Sequence, residues 1–220
     1  DGTAPGDGVC ANVLFPRPAE LVAGVLAAAG GIDPDADPWA PDRLVWTLLE
    51  VIDECAGEPW CAPLGDHLGV GLPDPGHRRG RRMATATHLA HLYDGYAANR
   101  PAMLREWAGG ADTDGAGGQL GADLRWQAEL WRHLRAVVGT PSPAERLPEV
   151  TAWVRAHPDD VGLPERVSVF GPTRLAGAQL DVLVALATHR QVHLWLPHPS
   201  AVLWERVASY DGQPGAQPHR

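Results

Sequence analysis

Residues 166–200 read RVSVFGPTRLAGAQLDVLVALATHRQVHLWLPHPS, and this stretch decides the fold class. Val167, Val169 and Phe170 make a short β-rich run that stops at Gly171-Pro172. Leu180, Leu183, Val184 and Ala187 then recur at helical spacing, which predicts one apolar stripe on a helix. Val192–Leu196 is a second β-rich run, closed by Pro197. Two short strands joined by one helix form a right-handed βαβ unit with parallel strands. In such sheets chemistry sits just beyond the carboxyl ends of the strands. Here those ends are Phe170-Gly171-Pro172 and Leu196-Pro197-His198. A site that hydrolyses a nucleotide wants a carboxylate there to hold magnesium, and neither end supplies one. The unit has the outline of a nucleotide-binding fold without the acid that would make it work.

Outward from this unit, the chain reads as α/β at both ends and helical between. Gly8–Phe15 (GVCANVLF) is expected to be a buried strand ended by Pro16. Pro18 suits the first turn of a helix, where its missing amide hydrogen costs nothing. Leu21, Val22, Val25 and Leu26 give that helix a stripe, and Gly30-Gly31 stops it. Asp42 is placed to cap a second helix with the stripe Val45, Leu48, Leu49 and Ile52. Glu58–Gly76 reads as loop, and Met83–Ala98 as a helix broken by Arg100-Pro101. A short helix through Leu104 and Trp107 follows. Residues 109–121, GGADTDGAGGQLG, read as a flexible surface excursion. Leu124, Ala128, Trp131, Leu134 and Val138 mark a further helix, and Ser142-Pro143-Ala144-Glu145 is a capping box opening another, with Pro148 inside it. The simplest division is an α/β domain begun by residues 1–41, interrupted by a helical insertion over 42–163, resumed over 164–208 and trailed by a polar tail, 209–220.

Composition narrows the function classes. The 220 residues are 45% hydrophobic, enough for a sizeable core. A net charge of −9 argues against a free-standing nucleic-acid binder, so any such contact is local. Cys10, Cys55 and Cys61 form no CxxC pair and leave an odd one over, which suits a reducing cytoplasm. No run is long and apolar enough for a membrane span, and no signal-peptide pattern opens the chain. The first residue is not methionine, which we read as a piece of something longer. No GxSxG elbow and no GxxxxGK phosphate loop is present.

Several segments together resemble the RecC family, the gamma subunit of exodeoxyribonuclease V. They are Gly8–Ala19 (GVCANVLFPRPA), Ala90–Leu104 (AHLYDGYAANRPAML) with Trp107, the Trp126–Trp131 helix and Arg166–Trp204. YDGYxxxRP followed by a tryptophan is the most specific of them. The resemblance implies a superfamily 1 helicase-like parallel sheet with an all-helical insertion that no longer works as a motor. In working motors the strand equivalent to Val167–Phe170 ends in an acidic pair, where this chain has Phe170-Gly171. The resemblance further implies a subunit that binds DNA, both the duplex end and the 3′ single strand, and bridges the beta and alpha subunits. ATP and magnesium would serve those partners, with no cofactor and no catalytic or metal site in this chain. Carried over by position, Leu92, Asp94 and Arg100 become candidates for strand contact, with Arg17 and Arg146 behind them. His91 stands where an acid is usual, and Arg17 where an apolar residue can occur.

Each candidate has a plainer role open to it. His77-Arg78-Arg79-Gly80-Arg81-Arg82 is the dense basic run, just ahead of a helix start where positive charge opposes the dipole. Arg78, Arg79, Arg81 and Arg82 either grip phosphates bidentately or form a solvated loop. Arg100 either meets a strand or satisfies carbonyls at a helix end. Asp94 and His91, at i and i+3, either bond base edges or form a surface pair. The histidines lack the companions that zinc needs. The 9 tryptophans are assigned to the core, with base stacking as the alternative. Two further readings stay open: a nucleotide hydrolase whose acids lie outside this chain, and an interaction scaffold without DNA.

Overall fold

In a computed structural model the chain is described for residues 15–33, 36–73, 76, 80–172, 174–197 and 200–208. The expected first strand and polar tail lie outside these residues, apart from Phe15, which is exposed coil. Nine α-helices and two strands are described. In order they are α1 (Pro18–Gly30), α2 (Pro41–Cys55), α3 (Ala62–Leu68), α4 (Arg81–Asn99), α5 (Pro101–Ala108), α6 (Arg125–Val138), α7 (Pro143–Ala156), β1 (Arg166–Phe170), α8 (Gly177–Leu186), β2 (Gln191–Trp195) and α9 (Ala201–Ala208). The architecture is mostly helical with a small parallel sheet, compatible with an α/β fold.

Local chemistry explains most boundaries. Pro18 occupies the first turn of α1, and Gly31 ends it in the left-handed region at φ 62°. Ser142 caps α7: its hydroxyl accepts from the Glu145 amide, while the Glu145 carboxylate accepts from the Ser142 amide at 2.8 Å. Such a box stabilises a helix by about 1 kcal/mol. Pro148 lies within α7, and the Thr151 hydroxyl bonds its carbonyl at 3.0 Å.

Four expectations need correcting. Ala40, not Asp42, precedes α2; Pro41 takes the first helical position, so Asp42 sits in the first turn, where it favours the dipole without capping. The supposed loop after Glu58 contains a 3-10 turn, Pro59–Cys61, and α3, because Cys61, Leu64 and Leu68 share one buried face. The α8 stripe is turned round. Val182, Leu183, Ala185 and Leu186 are buried, whereas Leu180, Val184 and Ala187 are exposed. That helix is apolar nearly all round, so spacing alone does not fix its inward face.

The glycine-rich segment after α5 is an ordered turn. The Asp114 carboxylate accepts from the amides of Ala116 (2.8 Å) and Gly118 (2.9 Å). These bonds hold its carboxyl below the ordinary range. Thr113 pairs with Gln119 across the turn, and the Trp107 indole N–H donates to the Thr113 carbonyl at 2.8 Å. Arg132 of α6 fastens the same segment through Asp112, at 2.9 Å.

Two apolar clusters organise the chain. The larger joins α2, α3, α4, α5 and α6 around Leu48, Ile52, Tyr93, Trp107 and Trp131. The smaller joins α1, α7, β1 and α8 around Val25, Val150, Val154, Val169 and Val182. Helix α7 belongs to both: Ala144 lies in the first cluster, Leu147, Val150 and Val154 in the second. The seam between the cores therefore runs through α7 itself. The two strands pair in parallel, with Arg166 opposite Gln191 and Phe170 opposite Trp195. Among the described residues only one face of this pair is covered, since β1 alternates exposed and buried residues and β2 is largely open.

Candidate nucleic-acid interface

The geometry of the site begins with α4. It carries no proline, and its inward face is Ala86, Leu89, Ala90, Tyr93 and Ala97. Small residues on that face bring α4 close against α2. It stops at Arg100, whose φ of −137° and ψ of 52° suit a residue before proline. The two tyrosines of the YDGY segment fix its rotation. The Tyr93 hydroxyl donates to the Gln127 carbonyl at 3.0 Å, and the Tyr96 hydroxyl meets Gln127 Oε1 at 3.1 Å. Tyr96 then packs edge-on against Trp107 (5.9 Å between ring centres), Trp107 against Trp131 (6.3 Å), and Trp131 against Trp39 (6.0 Å). This aromatic chain is core, as expected for Trp39, Trp107 and Trp131. The core assignment fails for Trp46, Trp195 and Trp204, which are 63%, 53% and 49% exposed.

With both tyrosines turned inward, His88, His91 and Asp94 face out. Asp94 lies at the wall of a cleft of about 220 Å³ between α1, the 36–40 connector, α4 and α7. Ala23, Leu26, Ala27 and Val150 form apolar sides, and Asp37, Trp39 and Arg146 complete the lining. One edge of Asp94 is open to water, yet the protein around the rest of it pushes its carboxyl above the ordinary range. The nearby His91 opposes that rise without cancelling it. Arg146 reaches across 109 positions of sequence to bond the Asp37 carboxylate. Both side chains are largely buried. The Trp39 indole donates to the Thr140 carbonyl at 3.1 Å, tying the same connector to the start of α7.

The fold brings Asp94 and Arg146 to one cleft, while the other candidates lie apart from it. Leu92 is half-buried against the larger core, on another side of α4 from Asp94. Arg100 is exposed at the end of α4, and its backbone amide, not its side chain, bonds the Tyr96 carbonyl. Arg17 is exposed ahead of α1 and bonds Glu20 at 2.8 Å. Arg81 and Arg82 lie inside the first turn of α4, not ahead of it. Arg82 pairs with Asp53, and Arg81 approaches the His67 carbonyl at 3.4 Å. Arg78 and Arg79 lie outside the described residues. The sequence reading missed Asp37 and assigned Trp39 to the core, with base stacking as the alternative. Both sit in a proline-punctuated connector, DPDADPW, with no periodic pattern to mark them.

Chemically, the cleft offers an apolar floor, the Asp94 carboxyl, whose charged form burial disfavours, and the Arg146 guanidinium paired with Asp37. A carboxylate accepts hydrogen bonds, and apolar walls with few polar groups suit a planar ring. Among the described residues no group of three or more His, Cys, Asp and Glu side chains is placed to hold a metal ion. No helix among them is long and apolar enough to cross a membrane.

A family model described as RecC, N-terminal domain, matches residues 3–218. Relatives named RecBCD enzyme subunit RecC agree in sequence. The one from Mycobacterium tuberculosis (strain H37Rv) is 43% identical, covering 100% of this chain and 19% of that protein. The one from Mycolicibacterium smegmatis is 42% identical over 93% of this chain and 18% of its own length. The one from Escherichia coli (strain K12) is 26% identical over 90% of this chain and 17% of its own length. The chain thus spans about a fifth of the curated relatives it matches, at 19% of the first two.

Proposed function

The chain belongs to the RecC family by its N-terminal domain, and from that premise we propose that it is the DNA-binding, non-motor part of a RecBCD-type helicase–nuclease. In this reading it acts in the cytoplasm in double-strand break repair by recombination. It bridges the beta and alpha subunits, and ATP and magnesium are used by those subunits. The βαβ unit is a helicase-like remnant whose first strand ends at Phe170-Gly171 instead of an acidic pair. Duplex ends and the 3′ single strand are its DNA ligands, and α4 with its cleft is the surface that follows the unwound strand.

The observation that carries this reading is the likeness to RecC along the whole chain, at 43% identity with no large segment left over. The cleft supports it locally. Asp94 of α4 and Arg146 of α7 both line an apolar slot, and unstacked bases are held by stacking on flat apolar surface together with hydrogen bonds to their edges.

The test uses the full-length subunit assembled with its partners. A photo-crosslinking residue replaces Asp94 in one variant and Trp46, exposed on α2 away from the cleft, in another. A duplex with a 3′ single-stranded tail is added. Crosslinks are expected at position 94 and not at position 46. Absence of crosslinks at both, in a complex that still assembles, favours the scaffold reading; equal crosslinking at both removes the assignment to α4.

A further inference from the structure

The tryptophan at the centre of the aromatic chain has a donor that the fold does not use. Buried tryptophan N–H groups normally find an acceptor. Trp39 donates to the Thr140 carbonyl, and Trp107 donates to the Thr113 carbonyl. Trp131 packs between those two rings and is fully buried. Among the described residues no group accepts from its indole N–H. The Nε of Arg190 is also buried and unmet, but that guanidinium bonds the Pro158 and Leu163 carbonyls through another nitrogen. An indole has no second nitrogen to use instead. A buried donor left unmet is costly, and each one in a folded protein asks for a physical reason.

A second observation lies beside the first. A cavity of about 10 Å³ adjoins the cleft and shares Trp39, Asp94 and Pro143 with it. Trp131, Tyr93 and Ser142 wall it, with Leu44, Ala97 and Leu104 as apolar sides. That volume admits one water molecule and nothing larger. Apolar cavities stay dry, whereas a polar one holds water when two to four groups can bind it. The polar groups of this wall are complementary. Trp131 offers an N–H. The Ser142 hydroxyl, also buried, accepts from the Glu145 amide, which leaves its own proton to donate. Asp94 offers the oxygens of a carboxylate, which accept.

We propose that this cavity is the site of one ordered water molecule, which accepts from the Trp131 indole and the Ser142 hydroxyl and donates to the Asp94 carboxylate. The water joins three helices at one point: α6 through Trp131, the start of α7 through Ser142, and α4 through Asp94. It holds one oxygen of Asp94 toward the core and leaves the other to the cleft. The inference stands whether or not α4 meets DNA.

A crystal structure of the full-length subunit with its partners, detailed enough to show ordered water, tests this directly. One water is expected within about 3.2 Å of both Trp131 Nε1 and an Asp94 oxygen. A dry cavity, or an indole N–H aimed at the ring of Trp39 or Trp107, overturns the proposal. A second measurement replaces Trp131 with β-(3-benzothienyl)alanine, which keeps the shape of the double ring and puts sulfur where the N–H was. Hydrogen exchange of the α4 and α6 peptides in the same complex is the readout. Losing a bond to a held water should speed that exchange roughly fivefold. If the N–H has no partner, the replacement instead removes a buried unmet donor and slows exchange. Slower or unchanged exchange overturns the proposal.

Discussion

Replacing Gly115 by alanine tests whether the glycine-rich turn is a structural part of the helical core. Gly115 has φ +74°, where a residue with a Cβ is strained; a single alanine there costs about 1–2 kcal/mol. The added Cβ would also meet Met103 at 2.7 Å from its Cβ, 2.8 Å from its nitrogen and 3.0 Å from its Cα. Met103 is buried in α5, so backbone must move, at a further cost of about 1–3 kcal/mol. The expected total is about 2–5 kcal/mol. Gly117 is the control. Its φ is +92°, but nothing lies within 4 Å of the methyl an alanine would add, so Gly117→Ala carries the conformational cost alone. The difference between the two variants, about 2 kcal/mol, corresponds to a gap of roughly 4–8 °C in melting temperature for a chain of this size. Thermal unfolding followed by far-ultraviolet circular dichroism measures it. Equal melting temperatures for the two variants would refute the contact with α5 and return the segment to a loose loop.

Two further outcomes follow from the cleft. Burial makes the charged form of Asp94 costly in the folded chain; that cost is complete above its raised folded pKa and absent below its unfolded value, near 3.9. Asp94→Asn should therefore raise the melting temperature at pH 7, with the gain shrinking as pH falls toward 4. A gain that is flat with pH would discount the burial argument. For the Arg146–Asp37 pair, a double-mutant cycle with alanine should give a coupling of about 1–2 kcal/mol, since both partners are largely buried. Asp37→Ala should lose stability without losing DNA affinity and Arg146→Ala should lose both; identical DNA affinities for all three variants would leave Arg146 purely structural.

What was readable in advance depended on how far apart the interacting residues are. Local signals worked well: Pro18 and Gly31 bound α1, Ser142 and Glu145 start α7, and the spacing of Ala128, Trp131 and Leu134 gives the inward face of α6. Periodicity failed in α8, where leucine, valine and alanine surround the axis and only tertiary packing picks a side. Proline and glycine misled around Glu58–Gly76, because α3 carries Pro63 in its first turn, where it is tolerated. The turn after α5 looked loose by composition, yet one carboxylate and one indole order it. The cleft was half legible. The family likeness pointed to Asp94 and Arg146, but the partner of Arg146 lies 109 positions away, and no local pattern announces such a pair.

One helix is a wall of both cores. The start of α7 is held in the larger cluster by Ala144 and by its cap, and its later turns are bedded among α1 and α8. A rod set into two walls cannot turn in one without levering the other. Arg146 projects from α7 between those anchor points, one residue before Leu147. The guanidinium of the slot and the valines packed against α8 are thus carried on one helix.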